Sequence, residues 1–256
     1  MPTDLLTGTV LLTCAAFAAG VLNAIAGGGS FITLPALLWT GMPPIMANAT
    51  SALAVSPGYL GSTLGFRAEL RALPISRLKR ELAISAAGGL AGAVLLLLTP
   101  ARLFSGLVPW LLLFATVLFA LGPWVSQRLK PGSSTDPRPV GWREPGLLLV
   151  AVYGGYFNGG LGILLMALYS AAGEPHLHTA NALKNLNSLV LSWLSVAAFM
   201  LAGAIAWREG LWMMLAATAG GFLGARWARR LPVQGVRWGV VIIGLVMSAV
   251  FFARQR

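Results

Sequence analysis

The chain has 256 residues, 57% hydrophobic and only 10% charged, where an ordinary soluble domain carries about 25% charged residues. This excludes a soluble globular domain, whose surface would need more charge, and the mean hydropathy of +0.79 points to a polytopic protein of a cell (inner) membrane. The net charge of +11 sits in short connections between apolar runs, so it reads as topology signal and lipid-headgroup contact, with no nucleic-acid partner.

Ten apolar segments follow in chain order. The first five cover residues 5–26, 31–39, 47–66, 82–98 and 104–125. After a linker rich in Pro, Gly and Ser come 147–157, 163–172, 178–206, 211–225 and 236–253. A spanning helix needs about 20 residues. Segments 31–39, 147–157 and 163–172 are too short and read as half-helices meeting at glycine-rich breaks. The first break, NAIAGGGSFITLP, carries Asn23, Gly27, Gly28 and Gly29. The second carries Asn158, Gly160 and Gly162. The single Cys14 leaves no internal disulfide or cysteine metal cluster. Asp4 and the absence of basic residues before the first segment argue against a cleaved signal.

The two halves repeat. A shift of 133 residues places Gly27 on Gly160, Gly29 on Gly162, and the ANA triplet around Asn48 on the one around Asn181. A one-residue adjustment then places Gly88, Gly89 and Gly92 on Gly220, Gly221 and Gly224. The organisation read from this is an N-terminal repeat at 1–126, a cytoplasmic linker at 127–145 and a C-terminal repeat at 146–256, forming one membrane domain. Each repeat holds broken or re-entrant short helices plus about three full transmembrane helices.

Basic residues set the orientation. Arg67, Arg71, Arg77, Lys79 and Arg80 fill one connection, Arg128, Lys130, Arg138 and Arg143 the linker, and Arg226, Arg229, Arg230 and Arg237 a third. The positive-inside rule makes these cytoplasmic. Corresponding connections of the two halves then fall on opposite sides, an inverted-topology repeat, with both termini on the outer side. Arg254 and Arg256 run against this bias.

The breaks would then enter from opposite faces and meet near the midplane. Half-helix N-termini present free N–H groups and the positive dipole end, which suits an anion. Asn48, Thr50 and Ser51 add uncharged donors from the first ANA helix. On the second, Asn181, Lys184, Asn185 and Ser188 share one helical face. A mid-membrane Lys costs on the order of 2.5–3.5 kcal/mol, so Lys184 must snorkel or line a polar path. Alternatives stay open: the Gly27–Gly29 run as helix packing, Asn48 and Asn181 as interhelical hydrogen bonds, and Pro57 with Tyr59 as the shapers of a kink. Gly88, Gly92, Gly220 and Gly224 read as helix packing and lie outside the site.

The paired motifs NAIAGGGSFITLPALL with ANATSAL, and GGYFNGGLGILLMAL with ANALKNL, resemble the TauE/SafE family across nearly the whole chain. The resemblance implies export of sulfite or a small organosulfur anion such as sulfoacetate. It matches at Gly27, Gly28, Gly29, Asn48, Thr50, Ser51, Asn158, Gly160, Gly162, Asn181, Lys184 and Asn185. Asn23 falls on Tyr156 and Asn158 on Ile25, so these asparagines are not strict equivalents.

The expected function is a secondary transporter working by alternating access between the repeats. The alternative is an anion channel, or a membrane assembly factor without transport. No Ser/His/Asp set, zinc motif or carboxylate pair lies within an apolar segment as read, so no enzyme, metal or cofactor is expected. With no buried Asp or Glu evident, the coupling source is open between protons and the inside-negative potential. The oligomeric state is not readable from sequence.

Overall fold

The computed structural model describes residues 5–25, 28–128, 141–227 and 233–254. These form α1 (Leu5–Ile25), α2 (Ser30–Trp39), α3 (Pro44–Gly65), α4 (Arg67–Arg71), α5 (Ile75–Leu98) and α6 (Ala101–Arg128). The second half gives α7 (Arg143–Tyr156), α8 (Leu161–Ala171), α9 (Leu177–Leu201), α10 (Trp207–Trp227) and α11 (Val233–Arg254). The described residues contain no strand, and the protein is an all-α polytopic membrane protein. The three short helices expected at the breaks are α2, α7 and α8, of 10, 14 and 11 residues. Trp39, Trp110, Trp193, Trp207 and Trp212 lie exposed on the outside of the bundle, where lipid and headgroups would meet them.

Local chemistry sets the helix ends. Pro44 opens α3 in the first turn, and Pro74 and Pro100 precede α5 and α6, where a missing N–H costs nothing. Gly41 and Gly173 close α2 and α8 with positive φ (86° and 74°). At both, the next amide bonds five residues back, Met42 to Leu37 and Glu174 to Tyr169, the Schellman pattern. The same spacing separates Gly41 from Gly173 as separates Gly28 from Gly160.

Two boundaries differ by five residues or more from the sequence reading. α5 begins at Ile75 rather than 82, because Pro74 starts a helix whose first turns carry the basic residues. Glu81 therefore lies inside the helix, 5% exposed, which corrects the expectation of no buried carboxylate. α9 ends at Leu201 instead of continuing to 206, because Gly203 takes a φ of 65° and turns the chain.

The halves interlock. α1 packs along α10, and α5 along α7. α3 packs on α10, as α9 packs on α5. α6 meets α11, and α3 meets α9. With α1, α2, α3, α5 and α6 taken as counterparts of α7, α8, α9, α10 and α11, these main pairings map onto one another. The closest contacts are glycine seams. A Cβ on Gly92 would collide with the Val152 carbonyl, and one on Gly155 with that of Gly89. A Cβ on Gly20 would strike the Ala217 carbonyl, and one on Gly220 that of Phe17. Helices in lipid gain nothing from burying apolar surface against each other, so backbone-to-backbone van der Waals contact carries their association.

Gly155→Ala should destabilise the protein by about 1–3 kcal/mol through overpacking. Gly106→Ala, with nothing within 4 Å of the added methyl, should be neutral or mildly stabilising. Thermal unfolding of the two purified variants in detergent checks this.

Candidate functional site

Two breaks form the centre of the molecule. Gly28 has φ +92° and Gly160 φ +73°, a region that other L-residues enter only with strain. Gly160 is also the N-cap of α8, and Gly29 that of α2. Both breaks rest on α6. A Cβ on Gly28 would lie 3.3 Å from the Phe119 ring, and one on Gly160 would lie 3.4 Å from the Ala115 Cβ. Ala115 and Phe119 are one turn apart, about 6 Å along the axis. Phe31, next to the first break, stacks edge-on against Phe119 at 5.6 Å.

The polar groups freed at the breaks are met by side chains. Asn23 Oδ1 accepts from the Gly29 amide at 3.2 Å. The Asn48 side-chain amide, on α3, donates to the Tyr156 carbonyl in the last turn of α7, at 3.1 Å. The Tyr153 hydroxyl donates to the Gly159 carbonyl at 2.7 Å. The Tyr59 hydroxyl donates to Asn158 Oδ1 at 3.3 Å, joining α3 to the second break. Thr33 and Ser51 share a buried hydroxyl bond of 2.6 Å between α2 and α3.

The expected site residues therefore divide. Asn23, Gly28, Gly29, Ser51, Asn48, Asn158 and Gly160 all lie at or against the breaks. Gly27 lies outside the described residues. Thr50 turns the other way: its Oγ1 accepts from the Ala206 amide at 3.0 Å and holds the start of α10. Pro57 lies inside α3, and Tyr59, expected to help shape a kink there, is also a partner of the second break.

The α9 residues form a separate stripe. Lys184 lies about 10 Å along α9. Its Nζ donates to Asn181 Oδ1 at 3.2 Å, and Asn181 donates to the Leu177 carbonyl. The Lys184 stem passes Gly162, with its Cδ 3.7 Å from where a Cβ would sit and no other atom within 4 Å. The lysine thus lies over the first turn of α8. Asn185 is buried on the same face (7% exposed). Ser188 and Ser192 follow at the next turns, and their hydroxyls are buried without a hydrogen-bond partner. A buried hydroxyl left unpaired costs about 1–3 kcal/mol. Ser192 was not singled out in the sequence, although the spacing 181, 184, 185, 188, 192 continues one helical face.

Repeat mates differ in use. Asn48 crosses to the other half, whereas Asn181 bonds within its own first turn and carries Lys184. Ser51, the counterpart of Lys184, bonds Thr33. The cation is thus supplied by one half only.

The comparisons agree with this architecture. The family profile described as "Sulfite exporter TauE/SafE" matches residues 12–251. A probable membrane transporter protein of Haemophilus influenzae is 32% identical over 93% of this chain and 92% of its own length. The probable membrane transporter protein YfcA of Escherichia coli is 30% identical over 97% of this chain and 90% of its own. A third, the probable membrane transporter protein ORF9 of a Sinorhizobium species, is 29% identical over 93% and 89%. No solved structure matches the chain. With a profile match over nearly its whole length and relatives that share its full extent, this chain is a multi-pass membrane protein that belongs to the TauE/SafE sulfite exporter family of membrane transporters.

Proposed function

We propose that the protein is a secondary transporter of the cell (inner) membrane that exports a small sulfur-containing anion, sulfite or a sulfoacetate-like organosulfonate, without enzymatic activity. The observation that carries this reading is the stacking of two glycine breaks one turn apart on α6, beside a lysine laid over the first turn of α8. A helix start presents the positive dipole end, and the lysine adds a full charge. Both favour an anion. The unpaired hydroxyls of Ser188 and Ser192 add donors on the lysine's face. The sulfur chemistry comes from the family description, since the donors by themselves fit any small oxyanion.

The two halves work in opposite orientation in this reading. The basic connection before α5 and the linker before α7 face the cytoplasm, both termini face outward, and the breaks enter from opposite sides. Exchange of the two equivalent sets of helix contacts then moves the site from one side to the other. The inside-negative potential favours outward anion movement by about 2.3 kcal/mol per charge per 100 mV.

Reconstituted into proteoliposomes, the protein should give saturable flux of sulfite or sulfoacetate. Absence of saturable flux for sulfite, sulfoacetate, sulfate and taurine, under imposed pH and voltage gradients, would overturn the substrate class. Lys184→Ala should weaken anion binding about tenfold or more, the loss of one charge-assisted contact, while Lys130→Ala should leave it unchanged. Equal effects would assign Lys184 to snorkelling. Ser188→Ala and Ser192→Ala should each raise stability by up to about 1 kcal/mol, by removing an unpaired hydroxyl, yet lower the flux. Thermal unfolding measured beside transport tests that opposition.

A further inference from the structure

Four ionised side chains meet where α5, α7, α8 and α9 converge, at the end of α8 remote from Gly160. Glu81 accepts from Arg143, from the Tyr169 hydroxyl at 2.6 Å and from the Asn187 side-chain amide at 2.9 Å. Ser85 donates to Asn187 Oδ1 at 2.8 Å. Glu174, in the turn between α8 and α9, is paired with Arg77 and lies 4.0 Å from Arg143. Arg77 Nε is 3.5 Å from Glu81 but is buried without a hydrogen-bond partner.

The cluster has an inside and a rim. The carboxylate side chains are 7% and 6% exposed, and the arginine side chains 26% and 23%. The arginines are thus the more exposed members of the cluster. Arg77 grips Glu174, and Arg143 grips Glu81, through a single terminal nitrogen. A guanidinium has five N–H donors, so most of the fork remains for another acceptor.

The other half is built without charges at the matching positions. Glu81, Ser85, Tyr169 and Asn187 fall on Met213, Ala217, Leu37 and Ala54 of the other half, all buried. The equivalent end of the bundle is closed there by apolar packing. Replacing a buried ion pair with apolar residues is often neutral or stabilising, so stability does not account for the charges.

We propose that Arg77 and Arg143 form a capture site for a small oxyanion, which displaces Glu174 and takes paired hydrogen bonds from the two guanidiniums. Glu81 stays in place, because it belongs to α5 and is held by Arg143, Tyr169 and Asn187. Glu174 is the group that leaves, because it sits in a turn and takes a hydrogen bond from Arg77 alone, with Arg143 4.0 Å away. The site then carries two arginines against one carboxylate, a net positive charge matched to the anion. Asn187 is one turn from Lys184 on α9, which leads from the capture site to the breaks. The proposal rests on the transport reading above and names where that transporter first holds its anion.

Protein in phosphatidylcholine nanodiscs, with sulfoacetate as the probe, tests it. Sulfoacetate should slow phenylglyoxal modification of Arg77 and Arg143 in the unaltered protein, as mapped by peptide mass spectrometry. Glu174→Gln should bind sulfoacetate about tenfold more tightly by calorimetry, since a competing carboxylate is gone. Adding Arg77→Gln should cancel that gain. Unchanged affinity in Glu174→Gln, or a gain that survives Arg77→Gln, would overturn the proposal. If Glu174→Gln fails to fold, the protection assay decides, and unprotected arginines overturn the proposal. Protection by phosphatidylglycerol in the nanodisc, without sulfoacetate, would assign the arginines to a lipid headgroup and overturn it as well. Failure of the transport reading is separate: it would show as absent flux, whatever the protection assay reports.

Discussion

A peptide group released from a helix inside a membrane must find a partner within the protein, because the lipid offers none. The structure depends on meeting that demand at two places. At the first break the Asn23 side chain takes the Gly29 amide. At the second, Asn48 and Tyr153 take the carbonyls of Tyr156 and Gly159. Hydrogen bonds between membrane helices average only about 0.6 kcal/mol. Their importance here lies in what their loss would leave, a bare carbonyl or amide at depth.

Such broken segments need a rigid surround, and the glycine seams supply it. α1 is held against α10, and α5 against α7, by direct backbone contact. Each seam joins helices from different halves. The second break is bridged from the first half by Asn48 and Tyr59, and α6 supports both breaks through adjacent turns. The breaks are therefore positioned by contacts between the two halves of the chain.

The two halves share a pattern of helix pairings but not their charges. Lys184 stands opposite Ser51, and the cluster of Glu81, Tyr169 and Asn187 stands opposite buried Met, Leu and Ala. Where α5, α7, α8 and α9 converge the helices hold two arginines and two glutamates, whereas the matching positions of the other half hold buried apolar residues.

Much of this was legible in the sequence, because glycine, proline and long apolar runs have local consequences. The all-α membrane class, the three short helices, the two breaks and the paired motifs follow from backbone propensities and hydropathy that act within a few residues. The partners of polar side chains were not legible. Thr50 and Ser51 are neighbours, yet one holds α10 and the other bonds Thr33 on α2, because successive residues of a helix point about 100° apart. Tyr59 looked like part of a kink until α3 brought it to Asn158. Glu81 looked like the end of a basic loop, and only the meeting of α5, α7, α8 and α9 shows it buried among its donors. Sequence determines where the backbone must break and which residues can cap it. Tertiary structure decides which do, because that choice depends on distances between helices far apart in the chain.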